Sequence, residues 1–292
     1  MEKYLFEMVL GDIDKKVSEV EGESFVYRLK DGSFLKVFTD DFVRLNERSN
    51  GNSLELKILE SRNLKLPYYL KKPQDIFYRK DGMFKAYTIS GFDGIDLSKH
   101  FHTMGFFEQM LPEVYTKVYR RIENVINDAN KEGIVFPDLC SYGNILYNPR
   151  TGSLALIDYD GLQVGDDRSI IYLSDALGNS SQYNNPKYKR NGLYTSELDK
   201  KSLIIHYFAN AFDINLSEVG KINPYTNSII TVSDKMDEIG MRDEEVRSVV
   251  ETAFSDKGEN GSIISAVSKF DYEDSIFFTE RGKTLIKGRI RF

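Results

Sequence analysis

One cysteine and three histidines are all the thiol and imidazole chemistry that 292 residues offer. Cys140 alone can form neither an intramolecular disulfide nor a cysteine-ligated zinc site. His100 and His102, two positions apart, could chelate a metal from a strand, but no carboxylate-rich motif joins them, so the pair reads as solvated loop. Long apolar runs are missing too, and none approaches the length that crosses a bilayer. The opening Met1-Glu2-Lys3-Tyr4-Leu5 lacks the apolar core and small-residue cleavage site of a signal peptide, so a cytoplasmic location is expected. Basic charge is in deficit: 39 Lys and Arg against 45 Asp and Glu leave a net charge of −6. That balance argues against general affinity for nucleic acid or an anionic membrane. The local cluster Lys187, Lys189, Arg190 reads as solvated surface. No internal repeat or low-complexity segment stands out.

What is present can bury more than one small core. At 292 residues, 41% of them hydrophobic and 29% charged, the chain suggests two folded lobes. Phe25-Val26-Tyr27-Arg28-Leu29 and Phe34-Leu35-Lys36-Val37-Phe38 flank an Asp31-Gly32 turn, which predicts a β-hairpin. Asp75-Ile76-Phe77-Tyr78 and the run from Met83 to Ile89 flank Asp81-Gly82 and predict a second one. Between them, residues 53 to 64 read as a short helix with Ser53 as N-cap. The first ninety residues thus read largely as strands, followed by the link Ser90-Gly91-Phe92-Asp93-Gly94. Beyond it helices dominate. From residue 111 to 129 the apolar positions recur every three or four residues, and Gly133 follows as a stop. Residues 197 to 212 carry apolar side chains around most of a helical circumference, which belongs inside a domain. The fold class expected is α+β: a small β-rich lobe over residues 1–90 and a larger, mainly helical lobe over 91–292.

One stretch carries chemistry. Asn144-Ile145-Leu146-Tyr147 and Leu154-Ala155-Leu156-Ile157 are strand-like on either side of a turn at Asn148-Pro149-Arg150-Thr151-Gly152. A hairpin there brings Asn144 and Asp158 together at its open end. Asp138 stands just upstream, after the apolar run Ile134-Val135-Phe136 and a proline. Two carboxylates and an amide oxygen are hard donors of the kind that suits Mg²⁺ carrying phosphates. The other reading of the same residues is a surface hairpin with ordinary turn and cap side chains.

These residues resemble the protein-kinase superfamily. Phe136-Pro137-Asp138-Leu139-Cys140-Ser141-Tyr142-Gly143-Asn144 is similar to its catalytic loop, and Ile157-Asp158-Tyr159-Asp160-Gly161 to its Asp-Phe-Gly segment. The resemblance implies a two-lobed protein-kinase-like fold with ATP and Mg²⁺ as cofactors. It implies that Asp138 handles the acceptor hydroxyl while Asn144 and Asp158 hold the metal. In the first lobe, Gly22-Glu23-Ser24-Phe25-Val26 resembles the end of the glycine-rich nucleotide loop, placing Gly22, Ser24 and Val26 against the nucleotide. Lys36, a mid-strand lysine between apolar neighbours, needs an anionic partner. By resemblance it contacts the α- and β-phosphates and pairs with Glu55, and Leu66-Pro67 follows at the family's distance. Ser90 and Phe92 correspond to the hinge that meets adenine, and Asp96 falls near the ribose. Asp199 corresponds to the helix aspartate that braces the catalytic loop; with Ser196 it also reads as a capping box.

The chain departs from the family pattern at four places. The stretch from Asp138 to Asn144 is one residue longer than the usual loop. Pro137 stands where many kinases have Arg, so the usual arginine link to a phosphorylated activation loop is missing. Cys140 replaces a common Lys, and Asp160 takes the place of the glycine, with Gly161 displaced by one. The resemblance implies a divergent, bacterial or phage-like Ser/Thr protein kinase with a protein acceptor as partner. A small-molecule phosphotransferase of the aminoglycoside or choline type and a nucleotide-binding pseudokinase remain open beside it, as does the oligomeric state.

Overall fold

The computed structural model describes residues 4–50, 54–63, 71–97, 112–139, 144–148, 150–166, 188–212 and 218–238, with positions 244, 247, 248 and 251. Leu66-Pro67, His100, His102, Cys140 and Lys187 lie outside the described residues.

Among the described residues, six strands form one sheet: β1 (Tyr4–Leu5), β2 (Ile13–Val20), β3 (Ser24–Leu29), β4 (Phe34–Phe38), β5 (Pro73–Tyr78) and β6 (Phe84–Ile89). Their spatial order is β1-β5-β6-β4-β3-β2, with β1 parallel to β5 and the other neighbours antiparallel. The two predicted hairpins are β3–β4 and β5–β6. Each turns at a glycine with positive φ, Gly32 at 87° and Gly82 at 85°, where a side chain would be strained. The preceding Asp31 and Asp81 accept from the N–H groups of Ser33 and Met83 and close the turns.

Successive side chains on a strand point to opposite faces, and that divides β4 between two cores. Leu35 and Val37 pack with Val9, Leu29, Phe77 and Ala86 on the outer face. Phe38 lies on the other face, in a larger cluster that runs through Ile58 and Tyr87 to Ile122, Ile145 and Leu156. Lys36 shares that inner face, which is how a lysine comes to look into the molecule.

Reading residues 1–90 as mainly strands leaves out helix α1 (Asp40–Asn50), which follows β4 directly. Asp40 and Asp41 in its first turn suit the positive end of the helix, and Phe42, Val43 and Asn46 are buried. Helix α2 (Leu54–Asn63) matches the predicted helix and buries Leu54, Lys57, Ile58 and Ser61.

After the short strand β7 (Ile95–Asp96), helix α3 (Pro112–Lys131) buries Val118, Tyr119, Ile122, Val125, Ile126 and Ala129. It ends at Gly133, whose φ is 77° and whose N–H donates to the Asn130 carbonyl at 3.0 Å. Strands β8 (Ile134–Val135), β9 (Ile145–Asn148), β10 (Ser153–Leu156) and β11 (Gln163–Val164) follow, then β12 (Lys189–Arg190) and β13 (Leu193–Tyr194). Helix α4 (Ser196–Phe212) buries Leu198, Leu203, Ile204, Ile205 and Tyr207, as its all-round apolar pattern requires, and α5 (Val232–Glu238) comes last. Among the described residues no helix is long and apolar enough to cross a membrane.

The arrangement is the expected α+β one, a small β-rich lobe and a larger mainly helical lobe. Residues 90–94 join them and are tied to the second lobe, where Asn148 Nδ2 donates to the Asp93 carbonyl at 2.6 Å.

Candidate active site

The hairpin read from the sequence is formed by β9 and β10, with Ile145 opposite Leu156 and Asn148 opposite Ser153. Asn148 organises its turn by accepting the N–H groups of Arg150 and Thr151 at 2.9 and 3.1 Å. At the open end the ladder runs one pair further, where the Ile157 N–H donates to the Asn144 carbonyl at 3.0 Å. Asn144 and the residue before Asp158 are therefore neighbours across the hairpin. Asn144 Nδ2 donates to the Asp138 carbonyl at 2.6 Å, which fixes the amide's orientation because a carbonyl cannot donate. The amide oxygen is left as the group's remaining donor atom for a cation. Asp138, Asn144, Asp158 and Gly161 line one small pocket.

Asp158 sits in the left-handed region, at φ 78° and ψ 62°, a conformation that costs a non-glycine residue on the order of 1–3 kcal/mol. The bend leads into the 3-10 turn Tyr159–Gly161. Gly161 is needed there for space. A Cβ at that position would stand 3.2 Å from Asp158 Oδ2 and 3.6 Å from Asp138 Cβ. The displaced glycine thus lies against both aspartates.

Lys36 reaches this turn from the opposite lobe. Its Nζ is 2.5 Å from Asp158 Oδ1 and 2.7 and 2.9 Å from the two oxygens of Asp160, with Glu23 at 3.6 Å. Burial opposes its charge, but Asp158, Asp160 and Glu23 outweigh that and push the ammonium's pKa up. The two aspartates divide. Burial and the neighbouring Asp160 charge raise Asp158. Burial also acts against the Asp160 charge, yet Lys36 and the bonds from Lys36, Asp158 and Tyr87 hold its carboxyl below the ordinary range. Burial raises Glu23 as well.

Glu55 is not at Lys36. Its carboxylate accepts from the Tyr78 hydroxyl at 2.8 Å. The inward stripe of α2 passes through Leu54, Lys57 and Ile58, and a residue two positions from Lys57 faces the other way. Lys57 instead points at the site and donates to the Asp160 carbonyl at 2.9 Å. Sequence reasoning missed Lys57, although a lysine in the apolar stripe of a helix was a visible signal. It noted Asp160 only as a departure and did not single out Tyr87, whose hydroxyl donates to Asp160 Oδ1 at 3.0 Å.

The base of the site is braced from α4. Asp199 is fully buried and accepts from the Phe136 N–H at 2.7 Å and from Asn130 Nδ2 at 2.6 Å. Burial pushes its carboxyl up to about 7, against the pull of those two bonds. Gln163, also unmarked in the sequence, exchanges two hydrogen bonds with the Tyr194 backbone at 2.8 and 2.7 Å. It straps β11 to the segment that enters α4.

The remaining candidates lie in the β2–β3 turn, on β3, in the linking segment and on β7. Gly22, at φ 75°, occupies a tight turn between β2 and β3. Ser24 is buried at the start of β3, and Val26 lies directly opposite Lys36 across the β3–β4 ladder. Ser90 and Phe92 are half-buried in the linking segment. A Cβ on Gly94 would strike the Phe92 ring at 2.3 Å, so that glycine makes room for the ring. Asp96 is buried in β7, paired with Leu146.

No family model and no curated protein matches the sequence. Among solved structures the chain is similar to the kinase PK-1 of Cydia pomonella granulovirus, with a TM-score of 0.54 at 18% identity. The match covers 85% of this chain and 88% of that one. The chain therefore has a protein-kinase-like, two-lobed fold.

Proposed function

We propose that the chain is a Mg²⁺·ATP-dependent phosphotransferase that moves the γ-phosphoryl group to a Ser or Thr hydroxyl of a protein. The observation that carries this reading is the convergence of Asp138, Asn144 and Asp158 on one pocket, with Lys36 reaching Asp158 from the facing sheet. The donor set fits the metal: a carboxylate and an amide oxygen are hard ligands. Among the described residues no group of three or more His, Cys, Asp or Glu makes a self-sufficient cation cage. An ion that arrives with phosphates needs only one or two carboxylates from the protein. Bound there, Mg²⁺ would neutralise phosphate charge as it develops.

The chain's own residues have distinct tasks. Lys36 holds phosphate oxygens, and Asn144 and Asp158 hold the metal side. Asp138 orients the acceptor hydroxyl and takes its proton as the new P–O bond forms and the bond to the ADP oxygen breaks. The buried α4, which follows the strap between Gln163 and Tyr194, favours a polypeptide acceptor. Asp160 within Ile157-Asp158-Tyr159-Asp160 favours a second reading, a small-molecule phosphotransferase of the aminoglycoside or choline type.

Incubation with γ-labelled ATP and Mg²⁺, with protein acceptors and separately with aminoglycosides and choline, separates the two by mass spectrometry of the product. The same site assignment makes two variants diverge. Asp158→Ala is expected to lose Mg²⁺-dependent thermal stabilisation by ATP. Asp138→Asn is expected to keep it while transfer falls by about 10²–10⁴. The reverse pattern overturns the assignment, and nucleotide binding without any turnover selects a pseudokinase.

A further inference from the structure

Three small-lobe elements converge on one residue that the family resemblance leaves without a role. Lys36 on β4 gives Asp160 contacts at 2.7 and 2.9 Å. Tyr87 on β6, directly opposite Lys36 in the ladder, donates to the same carboxylate at 3.0 Å. Lys57 on α2 donates to the Asp160 carbonyl at 2.9 Å. Asp160 is therefore held at both its side chain and its backbone. Its side chain is 5% exposed, whereas that of Asp158 is 23% exposed. Asp158 is the one of the pair that faces outward and can turn to a ligand; Asp160 is the one fixed behind the lysine.

Glu55 has no comparable route to Lys36. It is engaged with Tyr78, and turning α2 to bring it inward would expel Lys57 along with Leu54 and Ile58 from the core. We propose that Asp160 is the positioning residue that aims Lys36 at the nucleotide phosphates, the task that the resemblance assigns to Glu55. The proposal rests on the reading of this site as an ATP site. It makes the aim of the lysine a property of the turn after Asp158, to which α2 contributes through Lys57 on the Asp160 carbonyl and not through Glu55.

Acetic anhydride footprinting of the full chain, alone and with Mg²⁺·ATP, reads the acylation of Lys36 against Lys85 as internal reference. Asp160→Asn is expected to raise relative Lys36 labelling at least about fivefold in both states and to lower kcat by about tenfold or more, as a mispositioned group does. Tyr87→Phe removes a single hydroxyl from a packed ring, and is expected to raise labelling by about twofold, the scale of one lost hydrogen bond in the pair's support. Glu55→Gln is expected to stay within about twofold of the parent in both readouts. If Asp160→Asn does not fold, Tyr87→Phe decides. Parent-like labelling in the Asp160 and Tyr87 variants overturns the proposal, as does a Glu55→Gln effect equal to that of Asp160→Asn. A parent that neither binds Mg²⁺·ATP nor protects Lys36 with it overturns the reading of the site itself, and the proposal with it.

Discussion

Helix α2 and the turn after Asp158 come at Lys36 from different lobes and treat it in opposite ways. The turn presents two carboxylates to the ammonium. The helix directs Glu55 at Tyr78 and sends a second cation, Lys57, to the turn's backbone. The difference lies in what fixes each element. A helix is oriented by its whole buried stripe, so the direction of Glu55 is decided by Leu54, Lys57 and Ile58. A tight turn is oriented by its own backbone, and the left-handed Asp158 with Gly161 behind it aims both carboxylates locally. Charge at this site follows the turn.

Lys36→Met breaks the comparison at its common point, because the two carboxylates of the turn lose the ammonium they hold. Transfer is expected to fall at least about a hundredfold, on the scale of mispositioned reactants. Near-parental turnover in that variant would remove Lys36 from the site.

The next effect tests the support beneath the turn's side. Asp199→Asn keeps one acceptor but sets its amide against that of Asn130, and a cost of about 1–3 kcal/mol in urea unfolding is expected. That cost carries a pH signature. The folded carboxyl sits at about 7 against a usual value of 3.8, so the native state binds more protons than the unfolded chain between those values. This group's contribution to stability therefore falls as pH rises through that window. The deficit of the Asn variant relative to the parent should shrink between pH 5 and pH 8, and a deficit that grows instead would place the titrating group elsewhere.

The smallest effect sharpens the turn's half of the comparison. Gly161→Ala puts a methyl 3.2 Å from Asp158 Oδ2, which must give by a few tenths of an ångström. A several-fold loss in kcat, roughly three- to tenfold, is expected with nucleotide binding retained, since displacements well under 1 Å already cost rate. An unchanged kcat would show that the contact between Gly161 and Asp158 does not bear on the chemistry.

The sequence made the hairpins and the chemistry-bearing loop legible because each is decided over a few residues. Two Asp-Gly turns, alternating strands and the Asn148 turn suffice for β3–β4, β5–β6 and β9–β10. Helices α3 and α4 announced themselves by periodicity. Strand β2 did not, because Asp14, Lys15, Lys16, Ser18 and Glu19 face solvent along an edge and nothing imposes alternation. Helix α1 was hidden by running straight on from β4. Asn144 and Asp158 meet at the open end of β9–β10, because strand pairing alone decides that geometry. Glu55 was expected at Lys36 from its spacing to Ile58 and Leu59, and that spacing cannot tell which of several phases of a short helix faces inward. The burial of Lys57 sets the phase, and burial is a tertiary fact.

The tight turn at Gly22 has a mechanical consequence. Thr39, at the end of β4, donates through Oγ1 to the Gly22 carbonyl at 2.8 Å, and its N–H donates to the Glu23 carbonyl at 2.7 Å. A flap pinned at two points to the strand that carries Lys36 has no hinge of its own. On the proposed reading, the roof over the phosphates and the lysine beneath it would form one stiff jaw, and admission and release of a nucleotide would fall to rotation about residues 90–94. Turnover would then be paced by how fast that jaw opens on its spent cargo.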